Sequence, residues 1–160
     1  DATSKSRLMN YLLVILASLV LAVAAFALYV RLAPNDPAVV HADPLSEGRT
    51  GENAAYLGPP EAPVFDVAPD ALFEELERVI LSTPRVTKVA EGPEPRHASY
   101  VARTALWGFP DYVSVRVVEA DGGASYAIWS RSRFGSSDLG ETAARLADWR
   151  GQVAAALGGP

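Results

Sequence analysis

Leu8 to Val30 reads LMNYLLVILASLVLAVAAFALYV, 23 residues without a charge. At about 1.5 Å per residue, a helix of that length crosses a hydrocarbon core of roughly 30 Å with a modest tilt. Asn10 and Ser18 are its only strongly polar interruptions, and Tyr11 and Tyr29 stand near its ends, where amphipathic rings favour the headgroup level. The run predicts a transmembrane helix over residues 8–30. A cleavable signal peptide is the competing reading, since AFA at Ala25–Ala27 resembles a cleavage site, but a signal core is usually about 7–15 residues long. The chain begins at Asp1 without methionine, and its natural start is expected upstream.

The flanks give the expected orientation. Lys5 and Arg7 precede the run, whereas Arg31 alone follows it before Asp36 and Asp43. Positive residues favour the cytoplasmic side, so residues 1–7 are expected in the cytoplasm and the remainder in the periplasm of a bacterial inner membrane. Beyond the run lie 18 of the 19 acidic and 12 of the 14 basic residues. That acidic balance argues against a nucleic-acid partner. The bilayer and an integral-membrane protein are the expected partners. The chain has no cysteine, which excludes disulfides, thiolate nucleophiles and cysteine-ligated zinc.

Residues 31–63 hold six of the twelve prolines and no sustained apolar period. They are read as a stalk, a strap over a surface, or a flexible linker. A domain is expected over 64–160. PVFDV, from Pro63, predicts a short strand. PDALFEELERVILS predicts a helix with Leu72, Phe73, Leu76, Val79 and Ile80 on one stripe, started at Pro69 or Asp70 and stopped before Pro84. Four strands follow, in RVTKVAEG, HASYVARTALWGF, DYVSVRVVEADG and GASYAIWSRSRFG, the last two joined by a hairpin at Asp121-Gly122. A final helix is predicted from about Asp138 to Leu157, with Leu139, Ala143, Leu146, Val153 and Leu157 in line. The order β-α-β-β-β-β-α with short links gives an α+β fold: a curved antiparallel sheet of about five strands with helices on one face.

SRSRFGSSDLG, from Ser130, carries the densest chemistry. Alternation along a strand puts Trp129, Arg131 and Arg133 on one face and Tyr126, Ile128, Ser130 and Ser132 on the other. Arg103 and Arg116 come from neighbouring strands. Asp111, expected in a turn after GFP, can accept from an arginine. Asp138 reads as a helix N-cap with Glu141 closing a capping box. Two readings follow. In one, Arg103, Asp111, Arg131, Arg133, Asp138 and Arg145 form a bracing ion-pair network. In the other, Ser136, Ser137 and the glycine-rich turn form an anion nest with the arginines, suited to a lipid headgroup and opposed by Asp138.

WGFPDYVSVRV, from Trp107, together with SRSRFGSSDLG and Arg145, resembles the bacterial family called domain of unknown function 1499, over roughly residues 64–157. VRLAPNDPAVVHADP is similar to the membrane-proximal part of its alphaproteobacterial members. The resemblance implies an α+β fold in an inner-membrane or periplasmic setting, and no activity. Members commonly carry asparagine shortly after DLG, where this chain has Thr142.

His41 and His97 are far apart, lack metal-motif spacing, and are read as surface residues. Glu74 and Glu75 fall on the solvated side of their helix. No nucleotide-binding loop or nucleophile elbow is present, so no metal, cofactor or catalytic residue is assigned. Of the aromatics Trp107, Phe109, Tyr112, Trp129, Phe134 and Trp149, most are expected in the core, with Trp107, Phe109 and Trp129 as candidate docking residues. Ser18, Ala22 and Ala25 give the anchor one small-residue face for helix packing. The expected function is a non-catalytic single-pass accessory or assembly subunit of a larger inner-membrane complex: respiratory, photosynthetic or transport. The alternative is a membrane-tethered periplasmic domain binding a lipid or small anionic ligand.

Overall fold

The computed structural model describes residues 2–46, 53–134 and 140–159, in two compact units, 1–33 and 34–160. The first is one helix, α1 (Ala2–Leu32), with a candidate membrane span over Thr3–Leu32. Its apolar side chains, such as Leu12, Ile15 and Leu19, are exposed, as a membrane-spanning helix would require. Ser18, Ala22 and Ala25 lie exposed at i, i+4 and i+7 spacing on α1.

The second unit contains a short helix α2 (Pro37–Val40), strand β1 (Ala54–Leu57), helix α3 (Pro69–Ser82), strands β2 (Val86–Glu91), β3 (His97–Arg103), β4 (Pro110–Ala120) and β5 (Gly123–Ser132), and helix α4 (Glu141–Leu157). The strands form one antiparallel sheet in the order β1-β5-β4-β3-β2. This is the expected α+β architecture, with one difference in its membership. The first strand is Ala54–Leu57, inside the proline-rich segment, not PVFDV. β1 pairs with β5 from Ala54↔Arg131 to Leu57↔Ile128, and Phe65 joins the same edge only as a bridge to Ala124. Gly123 explains that close approach: a Cβ there would lie 1.9 Å from the Phe65 carbonyl oxygen. In the β4–β5 turn, Gly122 (φ 87°) and Gly123 (φ 142°) carry the left-handed backbone, and Asp121 does not.

The 2.0-residue period of the strands divides the sheet's side chains between two layers. On one face Ala98, Tyr100, Val113, Val115, Val117, Tyr126 and Ile128 meet Leu72, Leu76, Val79 and Ile80 of α3 and Leu146, Trp149 and Val153 of α4. Pro69 starts α3 at its first turn, and its C-cap is Thr83. The Thr83 hydroxyl also accepts from Trp149 Nε1 at 2.8 Å, which joins the two helices. α4 begins at Glu141 with Gly140 (φ 80°) as its N-cap, so Glu141 is its first residue rather than the third of a capping box. Its inward stripe runs through buried Thr142, not through Ala143, which is exposed. Leu139 and Asp138 lie outside the described residues.

Two buried tyrosines differ in how their hydroxyls are satisfied. Tyr100 donates to Glu77 Oε1 at 2.8 Å, whereas the Tyr126 hydroxyl has no partner among the described residues. Burial pushes Tyr126 up to about 12. Tyr126→Phe is therefore expected to leave stability at neutral pH unchanged or slightly raised, while Tyr100→Phe costs about 0.5–1.5 kcal/mol. Because tyrosinate is disfavoured in the fold, stability due to Tyr126 is full below its unfolded pKa and falls as pH rises towards 12. Tyr126→Phe should thus flatten the alkaline limb of an unfolding-midpoint profile. An unaltered limb would contradict the buried, unpartnered hydroxyl.

Candidate functional site

The other face of the sheet carries the residues that alternation predicted: Trp129, Arg131 and Arg133 on β5, Tyr112, Ser114 and Arg116 on β4, and His97, Ser99 and Val101 on β3. Residues 34–46 lie across it. Asp36 starts the strap's single helical turn by accepting from the Ala38 N–H at 3.0 Å, and Pro37 supplies a preset φ. The turn drives Val40 into a small apolar cluster with Val101 and Tyr112, with Val89 packed beside it.

Three arginines grip this strap in succession. Arg133 donates to the Pro34 carbonyl at 2.8 Å and to Asn35 Oδ1 at 3.3 Å. Arg131 donates to the carbonyls of Val39 and Val40 at 2.9 and 3.1 Å and to Ser114 Oγ at 3.3 Å. Its guanidinium lies 4.2 Å from the Trp129 ring centroid and 5.7 Å from that of Tyr112. Arg116 pairs with Asp43 at 2.6 Å. Burial acts to raise Asp43, but the Leu45 N–H and Arg116 outweigh it and hold the carboxyl below its usual value. The planar fork of Arg131 bonds two carbonyls while stacking on an indole, a combination lysine cannot reproduce.

Asp111 and Arg145 are joined on the opposite, helix-facing side. Asp111 sits within β4 rather than in a turn, is 2% exposed, and accepts from Arg145 at 2.6 Å and from Ser132 Oγ at 2.6 Å. Ser130 and Thr142 each lie 3.4 Å from the same Arg145 nitrogen. Thr142 therefore stands beside the Arg145–Asp111 pair. Arg103 donates to the Gly108 carbonyl at 2.9 Å. Ser136, Ser137 and Asp138 lie outside the described residues.

Among the candidate docking aromatics, Trp129 is 9% exposed beneath Arg131, and Phe109 is half-buried with its ring 6.3 Å from that of Phe134. Trp107 alone of the three stays open, beside Leu106 at 73% exposure. The β3–β4 loop that presents them is closed at its base: the Thr104 N–H donates to the Phe109 carbonyl, and the Phe109 N–H to Thr104 Oγ1, both at 3.0 Å.

The strap also corrects the reading of the histidines. His41 and His97 are not separate surface groups, because the strap returns His41 to the start of β3, where the rings stack at 4.0 Å. His41 Nδ1 lies 2.9 Å from Ser99 Oγ, and His97 Nε2 lies 3.2 Å from the Ala42 carbonyl. Glu94 Oε2 is 3.5 Å from His97 Nδ1. Burial and the neighbouring His97 hold His41 below its ordinary range, against the pull of Glu94 and Asp43. The parity of His97 with Ser99 and Val101 was a usable sign of its face. Nothing in the spacing of residues 41, 94 and 97 announced that they meet.

Residues 30–153 match a family described as a protein of unknown function, DUF1499. The chain belongs to this family. The match starts at Val30, so in this DUF1499 protein it takes in the residues of the strap as well as those of the sheet. No curated protein and no solved structure matches it.

The buried Asp111–Arg145 pair generates a quantitative expectation. Arg145→Met leaves an uncompensated buried carboxylate and should destabilise the domain by about 3–5 kcal/mol. Adding Asp111→Leu should recover part of that loss, since an apolar replacement of both partners is often neutral. Chemical unfolding of the two variants and wild type checks it. Additive losses would show that the two residues act independently.

Proposed function

We propose that this protein is a non-catalytic, single-pass accessory or assembly subunit of a larger inner-membrane complex, with a cytoplasmic amino terminus and a periplasmic domain. The observation that carries this reading is the engagement of the arginine-rich stretch. Arg131 and Arg133, the groups best suited to hold an anionic ligand, are directed at carbonyls of the chain's own strap. The braced β3–β4 loop then offers Leu106 and Trp107 as an exposed apolar tip of the kind that anchors protein interfaces. The apolar helix α1 supports membrane attachment.

One observation favours a binding domain instead. A cleft of about 310 Å³ is lined by Arg85, Arg103 and Arg145, and the Nε of Arg145 has no partner among the described residues. Its volume reaches the lower end of ligand pockets, roughly 300–1,000 Å³. Glu141 and Asp148 line the same cleft and oppose an anion there.

A pull-down from native membranes in mild detergent, with a carboxy-terminal tag, separates the readings. Stoichiometric recovery of one membrane complex by wild type is expected. Leu106→Ser combined with Trp107→Ser should reduce that recovery at least tenfold while the domain stays folded by circular dichroism. Recovery of the protein alone across a series of detergents would sink the accessory-subunit reading. Saturable phosphate or anionic-lipid binding lost in Arg85→Ala would then establish the other.

A further inference from the structure

The corner where the strap meets the start of β3 holds three metal-ligating side chains from distant parts of the chain. One donor atom each of His41, Glu94 and His97 can be chosen so that all three lie within 4.8 Å of one another. The hydrogen bonds on the far sides of the rings fix which nitrogens face inward. Ser99 Oγ donates onward to Ser114 Oγ, and Ser114 Oγ to the Val40 carbonyl, so Ser99 is free to accept from His41 Nδ1–H. His41 Nε2 is then left as a bare acceptor, buried and without a hydrogen-bond partner among the described residues. A carbonyl can only accept, so His97 Nε2 carries the proton shared with Ala42. His97 Nδ1, on the inner side of its ring, faces the Glu94 carboxylate at 3.5 Å. Two imidazole nitrogens and a carboxylate oxygen thus gather within 4.8 Å of one another, the donor set of a metal site.

Gly92 keeps that point open. A Cβ at residue 92 would lie 2.4 Å from His41 Nε2 and 2.8 Å from Glu94 Oε2. Its backbone has no left-handed φ, so conformation does not demand glycine there. The outer hydrogen bonds from the two rings match the arrangement that orients and strengthens metal-bound histidines. Glu94, 47% exposed at its side chain, leaves an entry path from solvent.

We propose that His41, Glu94 and His97 bind a divalent transition-metal ion of the zinc class, fastening the strap to the sheet. Imidazole nitrogens select zinc, copper or nickel over magnesium and calcium, which take oxygen ligands. Bonds of about 2.0–2.2 Å place tetrahedral donors about 3.3 Å apart, so binding draws the three groups together, the exposed Glu94 side chain and the two rings each adjusting. Three protein ligands leave a fourth position for water or an external ligand. The site joins residue 41 to residues 94 and 97, so the ion holds the strap to the fold it covers.

The test uses the full chain in detergent, carrying no polyhistidine tag and stripped with a chelator. Zinc added alone should bind saturably at one ion per chain by calorimetry, and cobalt should give the visible absorption of a tetrahedral site. The unfolding midpoint should rise with zinc concentration, as for any ligand that binds the folded state. Glu94→Gln, at an exposed position that threatens no core packing, and Gly92→Ala should each weaken zinc binding at least about tenfold. Absence of saturable zinc binding to the full chain overturns the proposal. So does undiminished zinc affinity in Glu94→Gln or Gly92→Ala, each shown by circular dichroism to be folded.

Discussion

The domain is organised by a guanidinium grip on a peptide backbone. Arg133, Arg131 and Arg116 reach across one face of the sheet to residues 34–35, 39–40 and 43 in turn, so the strap is held at three points along its length. Apolar burial alone supplies little there: Val40 is the strap's fully buried aliphatic side chain, seated on Val101 and Tyr112. A segment rich in proline has few N–H groups to offer a sheet, and its carbonyls need donors from elsewhere. Arginine meets that need with several donors on one planar group.

The two layers are linked through single rungs of the sheet. Asp111 and Tyr112 are consecutive on β4 and pair with Ser132 and Arg131 on β5. Tyr112 and Arg131 face the strap, while Asp111 and Ser132 face α4 through Arg145. Strap and final helix are therefore attached to neighbouring residues on opposite sides of the same backbone. β5 is central to this arrangement: it bonds β4 on one side and β1 on the other, and bears Arg131 and Ser132. The carbonyls that Arg131 holds are backbone groups, so the grip depends on where the strap runs rather than on its side chains.

Local rules read much of this in advance. The uncharged run marked α1, the Leu72–Leu76–Val79–Ile80 spacing marked α3, and alternation placed Trp129, Arg131 and Arg133 together on one face. What they grip was not legible, because a carbonyl carries no sequence signature. β1 was hidden for a related reason. Four residues, AAYL, become a strand only because β5 presents an edge more than seventy positions away. Thr142 replaced Ala143 on the inward stripe of α4 because the helix begins at Glu141 and because Arg145 supplies a polar contact for a buried hydroxyl. The histidine corner depends on all of these at once: residue 41 approaches 97 only after the strap has been laid down.

That dependence bears on how the strap is held. Hydrogen bonds from a charged guanidinium to carbonyls contribute about 1.5–3 kcal/mol each, net of the solvent bonds they replace. The surface pair Arg116–Asp43, with both side chains about a quarter exposed, adds little by itself. The strap's apolar cluster of Val40, Val101 and Tyr112 is also smaller than that of the α3–α4 layer, whose core buries Leu72, Leu76 and Trp149 completely. Opening the strap would uncover Trp129, Tyr112 and the arginines together. A bound ion at His41, Glu94 and His97 raises the cost of that opening, because it links the strap directly to β3 and the turn before it. The bracing and the proposed metal site thus act on one segment, residues 34–46, which covers the aromatic, cationic face of the sheet.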